Sequence, residues 1–174
     1  MIRPLENGKR RTGCFSLLPF SVALLVILLL WKLVPYGYAI FANRQLFERV
    51  VNFVPTEGSY IKINGYYYDE NEDLTLYSTV LDDLESQEEL MDIIAQLEYG
   101  GHYTWGVDIN NGVVLRDPFF DILLKAPGKK LDIIEVTRTY CKGNGGVNRY
   151  LLKLNNYEAL LQYCEALFAA DQTN

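Results

Sequence analysis

The stretch FSLLPFSVALLVILLLWKLV, residues Phe15–Val34, is the strongest structural signal in the chain. At about 1.5 Å per helical residue, these twenty residues give a helix of about 30 Å, which matches the hydrocarbon core of a bilayer. Its only charge, Lys32, lies within three residues of the end, where a lysine side chain reaches the lipid headgroups. We therefore predict a single transmembrane helix over residues 15–34.

A cleaved signal peptide is the competing interpretation of this segment. Gly37-Tyr38-Ala39 has the small-x-small pattern of a cleavage site and follows a basic amino-terminal region. Against cleavage, the apolar run is longer than the usual ~7–15 residues, and Lys32 interrupts the approach to the site. An uncleaved signal-anchor is the favoured interpretation, and cleavage remains open.

The orientation of the span in the membrane follows from the basic residues on either side of it. The side with more Lys and Arg stays in the cytoplasm. A tight cluster precedes the span, and a more dispersed set follows its apolar core: Arg3, Lys9, Arg10 and Arg11, then Lys32, Arg44 and Arg49. We expect a cytoplasmic tail over residues 1–14 and an extracytoplasmic carboxyl-terminal part. No asparagine begins an Asn-x-Ser/Thr glycosylation site. We take the setting to be a bacterial inner membrane, with the domain in the periplasm.

Charge is divided unevenly along the 174 residues, whose net charge is −6. Residues 1–46 carry six basic residues and one acidic residue, whereas residues 47–174 carry ten basic and 21 acidic residues. The composition, 49% apolar and 22% charged, excludes a wholly disordered, collagen-like or coiled-coil chain. The acidic outer part disfavours nucleic-acid binding and suits a basic protein partner.

Hydrophobic periodicity indicates the elements that follow the span. Residues 35–56 are predicted to hold a juxtamembrane or stalk helix that Pro55 ends. Period-two alternation predicts a hairpin of Tyr60–Tyr67 and Leu74–Val80, with the leucines and valine of the second strand facing inward. Ser86 is the expected amino-terminal cap of the next helix, and Gly100-Gly101 its end.

The remainder of the chain completes an α+β pattern. We expect strands near Tyr103–Ile109 and Val113–Arg116, a long central strand over Leu131–Tyr140, a flexible glycine-rich connection and a strand over Asn148–Leu154. Phe119–Leu124 is apolar but too short for its periodicity to distinguish a strand from a helix, and Asn155 or Asn156 caps a final amphipathic helix. The predicted fold is a transmembrane helix followed by a mostly antiparallel sheet with two packed helices, the domain covering residues 57–174.

Three segments resemble metal-binding, phosphate-binding or catalytic motifs, but each lacks residues that the motif requires. Asp69-x-Asn71-x-Asp73 starts like a calcium loop, but Leu74 and Val80 stand where glycine and glutamate are required. Lys142–Gly146 lacks the ending of a phosphate loop, and His102, the single histidine, has no Gly-x-Ser-x-Gly elbow beside it. We predict no catalytic residues, no metal site and no cofactor.

Tyrosines beside an acidic run are the predicted partner-binding surface. Successive rings on a strand alternate between faces, and tyrosine is enriched in protein interfaces. The alternative is that aromatic residues are simply good strand formers. The predicted set is Tyr66, Tyr68, Asp69, Glu70, Glu72, Asp73 and Tyr77.

Two cysteines lie in the outer domain, which the orientation places in an oxidising compartment. A disulfide between Cys141 and Cys164 would stabilise the fold by about 3 kcal/mol. The alternative is that Cys164, on an apolar helical stripe, is a buried small hydrophobe.

The function expected from these features is that of a membrane-anchored, non-enzymatic protein-binding domain. An inhibitor or immunity factor against a basic toxin, or a subunit of an envelope complex, fits equally well. The alternative is a membrane-tethered hydrolase that uses paired carboxylates around the Tyr103–Asp117 hairpin, where Asp117 is one of the available acids.

Overall fold

A computed structural model describes residues 18–68, 73–104, 117–144 and 150–169. The chain divides into two compact units, Met1–Pro35 and Tyr36–Asn174. The first unit contains the apolar part of the amino-terminal helix, and the second contains the sheet.

The amino-terminal helix, α1, covers Leu18–Val51 and contains Pro35. It includes a stretch, Pro19–Val51, that is long and apolar enough to cross a membrane, as predicted. Length and composition carry that conclusion, and a signal sequence would meet the same criterion. A separate stalk helix was expected after Pro35, but the helix continues through it, because one internal proline removes a backbone bond without necessarily ending a helix.

Strands and two further helices follow α1 in the second unit. They are β1 (Tyr60–Tyr68), β2 (Leu74–Leu81), α2 (Leu84–Ile94), β3 (Glu98–Thr104), β4 (Phe119–Lys125), β5 (Asp132–Thr137), β6 (Cys141–Asn144), β7 (Tyr150–Asn155) and α3 (Glu158–Ala169). The expected α+β class is confirmed.

The strands form one seven-stranded sheet in the order β2-β1-β4-β5-β6-β7-β3. Every pairing between neighbours is antiparallel. Strands β2 and β3 are the two edges among the described strands. Strand β5 is central, as its apolar character on both faces predicts.

The hydrophobic core lies on one face of the sheet. The three described helices all contribute to it, α1 through Leu46 and Val50, which belong to the second unit. The Phe168 ring of α3 stacks on Phe120 of β4 at 6.2 Å between centroids. Gly65 of β1 makes room for Phe168, since an added Cβ would lie 3.0 Å from its Cδ2. Among the residues that the structure describes, the other face carries no member of this core cluster.

The orientation of β2 differs from the prediction. Leu74, Leu76 and Val80 are 51%, 56% and 51% exposed, on the face away from the helices. Tyr77 points the other way and lies 6.3 Å from Phe168, ring centroid to ring centroid. Register with β1 sets this arrangement, because residues paired across strands share a face of the sheet.

Three local assignments also differ. Helix α2 starts three residues earlier than expected, because the Asp83 carboxylate, not Ser86, accepts the capping bond, from the Ser86 N–H at 2.7 Å. Gly100 and Gly101 lie within β3 rather than at a helix end. The predicted glycine-rich connection begins inside strand β6.

Candidate functional site

The face of the sheet that lies away from the helices is called the open face here. Alternation along the strands defines it, because buried and more accessible residues take turns on β1 and β4. Its members on the central and β2-side strands include Lys62, Asn64, Tyr66, Tyr68, Leu74, Leu76, Ser78, Val80, Phe119, Asp121, Glu135 and Lys142.

An apolar region occupies the β2 side of the open face. Leu76 is paired in register with Tyr66, which is paired in turn with Phe119. The rings of Tyr66 and Phe119 stack, with centroids 4.3 Å apart and planes 8° from parallel. Leu74 and Tyr68 form the next pair on this face and continue the surface, and both are exposed. Exposed aliphatic side chains beside an aromatic stack are typical of a protein interface.

A charged cluster lies next to it, in the middle of the sheet. Glu135 of β5 accepts a hydrogen bond from the Tyr140 hydroxyl at 2.5 Å and lies 2.7 Å from the Lys142 ammonium. The side chains of Lys142 and Glu135 are only 7% and 16% exposed. The Lys142 ammonium also lies 5.1 Å from the centroid of the Tyr140 ring. Glu135 is therefore held by two donors in a site with little solvent.

Asp121 brings a second carboxylate to the same cluster. It is paired with Glu135 across β4 and β5. Partial burial raises the pKa of Asp121, and the neighbouring charge of Glu135 raises it further, while a hydrogen bond from Tyr66 and the charge of Lys142 act against the rise. Two adjacent carboxylates, one with a raised pKa, are the arrangement that acid–base chemistry uses. Here Lys142 and Tyr140 already engage Glu135.

A groove of about 1290 Å³ lies elsewhere in the second unit, between α1 and the residues that join β4 to β5. It contains the ion pair of Arg49 and Asp132, with 2.8 Å between Nη2 and Oδ1. Asp121 and Glu135 are not among its lining residues. The carboxylate pair therefore lies on the open face and outside this groove.

The predicted partner-binding residues divide between the two faces. Tyr66 and Tyr68 lie on the open face, and Asp73 is exposed just before β2. Tyr77 is half-buried on the helix-covered face, 5.6 Å from Tyr67 between ring centroids, so it does not join them. Asp69, Glu70 and Glu72 lie outside the described residues.

Sequence reasoning missed Leu74, Leu76 and Phe119 as surface residues, and it missed the charged cluster as a unit. An alternating strand does not indicate which of its faces is covered, so β2 could not be oriented from its own pattern. Asp121, Glu135 and Lys142 come from three strands, and only their pairing brings them together.

The predicted disulfide is not formed: Cys141 and Cys164 are both free thiols, and both are buried. Burial raises the pKa of Cys141 strongly, with smaller contributions from Cys164 and Glu135. Burial, and then Glu165, raises the pKa of Cys164 to about 12. The two side chains act as small core residues, which is the alternative that the helical stripe of Cys164 allowed.

The structure also shows where the candidate catalytic and metal-binding residues lie. His102 lies in β3 with its ring edge-on to Tyr36, 5.1 Å between centroids. Within the described residues, no group of three or more His, Cys, Asp or Glu side chains could hold a metal ion. Most of the Tyr103–Asp117 hairpin, including the Asn110–Gly112 turn, lies outside them.

Comparison of the chain with protein-family models, with curated proteins and with solved structures finds no match in any of the three.

Proposed function

We propose that this chain is a single-pass membrane protein whose outer domain binds another protein through the open face of its sheet. The observation that carries the proposal is the group of exposed apolar side chains on β2, Leu74, Leu76 and Val80. Single exposed apolar residues are ordinary, but several on the same side of one strand, beside stacked aromatic rings, are a feature of interaction surfaces.

The composition of the open face supports a specific protein contact. The Tyr66–Phe119 stack supplies a rigid aromatic area, and the polar side chains of Ser78 and Asn64 are hydrogen-bonded to each other at 3.0 Å beside it. A mixed surface of this kind resembles the apolar centre and polar rim of known interfaces.

The membrane setting rests on the amino-terminal helix and its flanking charges. The basic cluster before the span supports a cytoplasmic amino terminus, so the domain would face the periplasm of a bacterial cell. In that position the domain would act as an inhibitor or immunity factor, or as a subunit of an envelope complex, without catalysis of its own.

A photo-crosslinking experiment tests the proposal. A photoreactive phenylalanine analogue replaces Tyr68 in the full-length chain in its native membrane, and a matched probe replaces exposed Glu88 on α2. We expect a discrete protein adduct from position 68 and none from position 88, and we expect Leu76→Asp to abolish the adduct. Adducts of equal yield at both positions, or none at position 68, would contradict the proposal.

A hydrolase is the second candidate, and the Asp121–Glu135 pair is the observation that favours it. Raised carboxyl pKa values mark acid–base residues in many enzymes. In this role Asp121 would donate the proton and Glu135 would act as the base. Asp121→Asn would then abolish hydrolysis of a chromogenic ester or glycoside by the purified full chain. Binding ranks first because Glu135 is already engaged by Lys142 and Tyr140.

A further inference from the structure

The two edges of the sheet are built differently. Edge strand β3 is irregular: its register with β7 shifts between Tyr99 and His102, and Gly101 has a φ of +94°. Edge strand β2 is regular, with eight consecutive pairs to β1, from Ile61 opposite Leu81 to Tyr68 opposite Leu74. Bulges are one of the means by which proteins keep an edge from pairing with another strand, and β2 has none in this register.

The sequence of β2 also lacks the usual protection of an edge. LTLYSTVL contains no charged residue and no proline. It is the outermost of the described strands, so no described segment pairs with the backbone groups on its outer side. Its side chains on the open face, Leu76 above all, are accessible together with that backbone. Regular geometry, uncharged sequence and exposed apolar side chains together make β2 suited to accept another strand.

Acidic residues lie at both ends of β2. Asp73 precedes the strand, Asp82 and Asp83 follow it, and all three are exposed. Hydrogen bonds from the Ser86 backbone and side chain lower the pKa of Asp83, so this carboxylate is charged at neutral pH. A second copy of the chain paired antiparallel through β2 would bring Asp73 of one copy close to Asp82 and Asp83 of the other. Like charges at that distance oppose self-pairing.

We propose that β2 binds an extended segment of the partner protein as an additional strand of the sheet, and that this segment carries basic residues at both ends of an uncharged, alternating centre. The inference rests on the proposed function, and it names the mode of binding and the chemistry of the partner. Backbone hydrogen bonds along β2 supply affinity, and contacts with Leu74 and Leu76 of β2 select the side chains of the bound segment. Pairing with the flanking aspartates sets the register and speeds association.

Peptide binding to the full-length chain in detergent micelles tests the proposal. The probe is a labelled peptide of four Val-Thr repeats between two lysines at each end. One control peptide has glutamates in place of the lysines, and another has N-methyl groups on alternate residues, which removes backbone donors but keeps the side chains. We expect the lysine-flanked peptide to bind about tenfold or more tightly than either control, with slower amide hydrogen exchange over residues 74–81.

Variants of the chain test the role of the aspartates. The double variant Asp73→Asn, Asp82→Asn is expected to lose most of the preference for the lysine-flanked peptide. The matched variant Glu88→Gln, Asp92→Asn removes two exposed acids of α2 and is expected to keep the preference. Asp83 stays unchanged because it caps α2.

Three results would overturn the proposal: equal binding of the N-methylated peptide, equal binding of the glutamate-flanked peptide, or protection that does not include β2. Slower exchange over residues 74–81 without peptide, together with concentration-dependent dimers, would overturn it in favour of self-pairing. If any of these occurs while the Tyr68 adduct persists, the edge-strand proposal fails and the proposed function stands. If the adduct is absent, the proposed function fails.

Discussion

At the scale of single residues, Glu135 is the centre of the charged cluster on the open face. Its carboxylate has two donors, the Tyr140 hydroxyl and the Lys142 ammonium, and solvent reaches little of the ion pair. A buried ion pair adds little net stability compared with apolar residues, but removing one partner leaves the other charge uncompensated. The cluster should therefore be sensitive to single substitutions.

Glu135→Gln is expected to lower the free energy of unfolding by about 3 kcal/mol, because it removes the carboxylate that lies 2.7 Å from the largely buried Lys142 ammonium. Thermal or denaturant unfolding of the full chain measures the change. Glu165→Gln is the matched control, since the Arg138–Glu165 pair is more exposed, and it should cost about 1 kcal/mol or less. Equal effects of the two substitutions would contradict this assignment.

Asp121 gives the cluster a pH dependence. Burial and Glu135 raise its pKa above the ordinary 3.8, so in the window above that value the folded protein holds a proton that the unfolded chain has released. The contribution of Asp121 to the free energy of unfolding therefore decreases as pH rises through this window.

Asp121→Asn should accordingly be more stable than the parent at neutral pH, and the difference should vanish toward the ordinary carboxyl pKa. Solvent screening of this half-exposed group keeps the gain below about 1 kcal/mol. Melting temperatures of the two proteins across this pH range measure it. A variant that is less stable at neutral pH would show that the hydrogen bond from Tyr66 outweighs the repulsion from Glu135.

At the scale of the element, β2 shows that the pairing of a strand with its neighbour can overrule the orientation that its own hydrophobic pattern predicts. Its leucines alternate with polar residues and tyrosine, so the strand alone favours burying the leucines. The register with β1 instead places Leu76 beside Tyr66 and sends Tyr77 toward Phe168, where its larger ring fills the space beside Tyr67.

Paired substitutions test this orientation. Leu76→Ser should change the free energy of unfolding by less than about 0.5 kcal/mol, because the side chain is exposed. Tyr77→Ser should cost about 2 kcal/mol or more, because it removes a ring packed against Phe168. Denaturant unfolding of both variants gives the comparison. The reverse order would mean that β2 presents its other face to the helices.

At the scale of the whole molecule, the chain separates into an apolar amino-terminal unit and a unit with its own core. The second unit begins at Tyr36 and contains the whole sheet and its core cluster. Its hydrophobic core includes Leu46 and Val50 of α1, so a fragment must keep that part of the helix.

Removal of residues 1–34 is therefore expected to give a soluble protein with a cooperative thermal transition. The cut leaves Leu46 and Val50 in place and removes the apolar stretch that would otherwise favour lipid. Circular dichroism and calorimetry measure the transition. An aggregated fragment without a cooperative melt would contradict an independent outer domain.

Topology depends on the basic cluster before the span. Replacement of Lys9, Arg10 and Arg11 by glutamate should invert or scramble the orientation, because it removes most of the positive charge on the cytoplasmic side. Protease accessibility of the carboxyl-terminal domain in intact spheroplasts is the measurement. A matched variant with glutamine at Lys125, Lys129 and Lys130 should leave the orientation unchanged. Unaltered accessibility in the first variant would contradict the charge argument.

Local patterns in the amino-acid order were enough to predict the apolar span, the α+β class, the β1–β2 hairpin, strand β7 and helices α2 and α3, because each depends on periodicity over neighbouring residues. Strand order, the short strand β6 and the face on which Leu76 and Tyr77 lie came from pairing between distant segments. Pairing between distant segments also brings Asp121, Glu135 and Lys142 together and leaves β2 at the edge of the sheet. A strand's period shows that its two sides differ, but the neighbours it acquires on folding determine which side meets the core and which meets a partner.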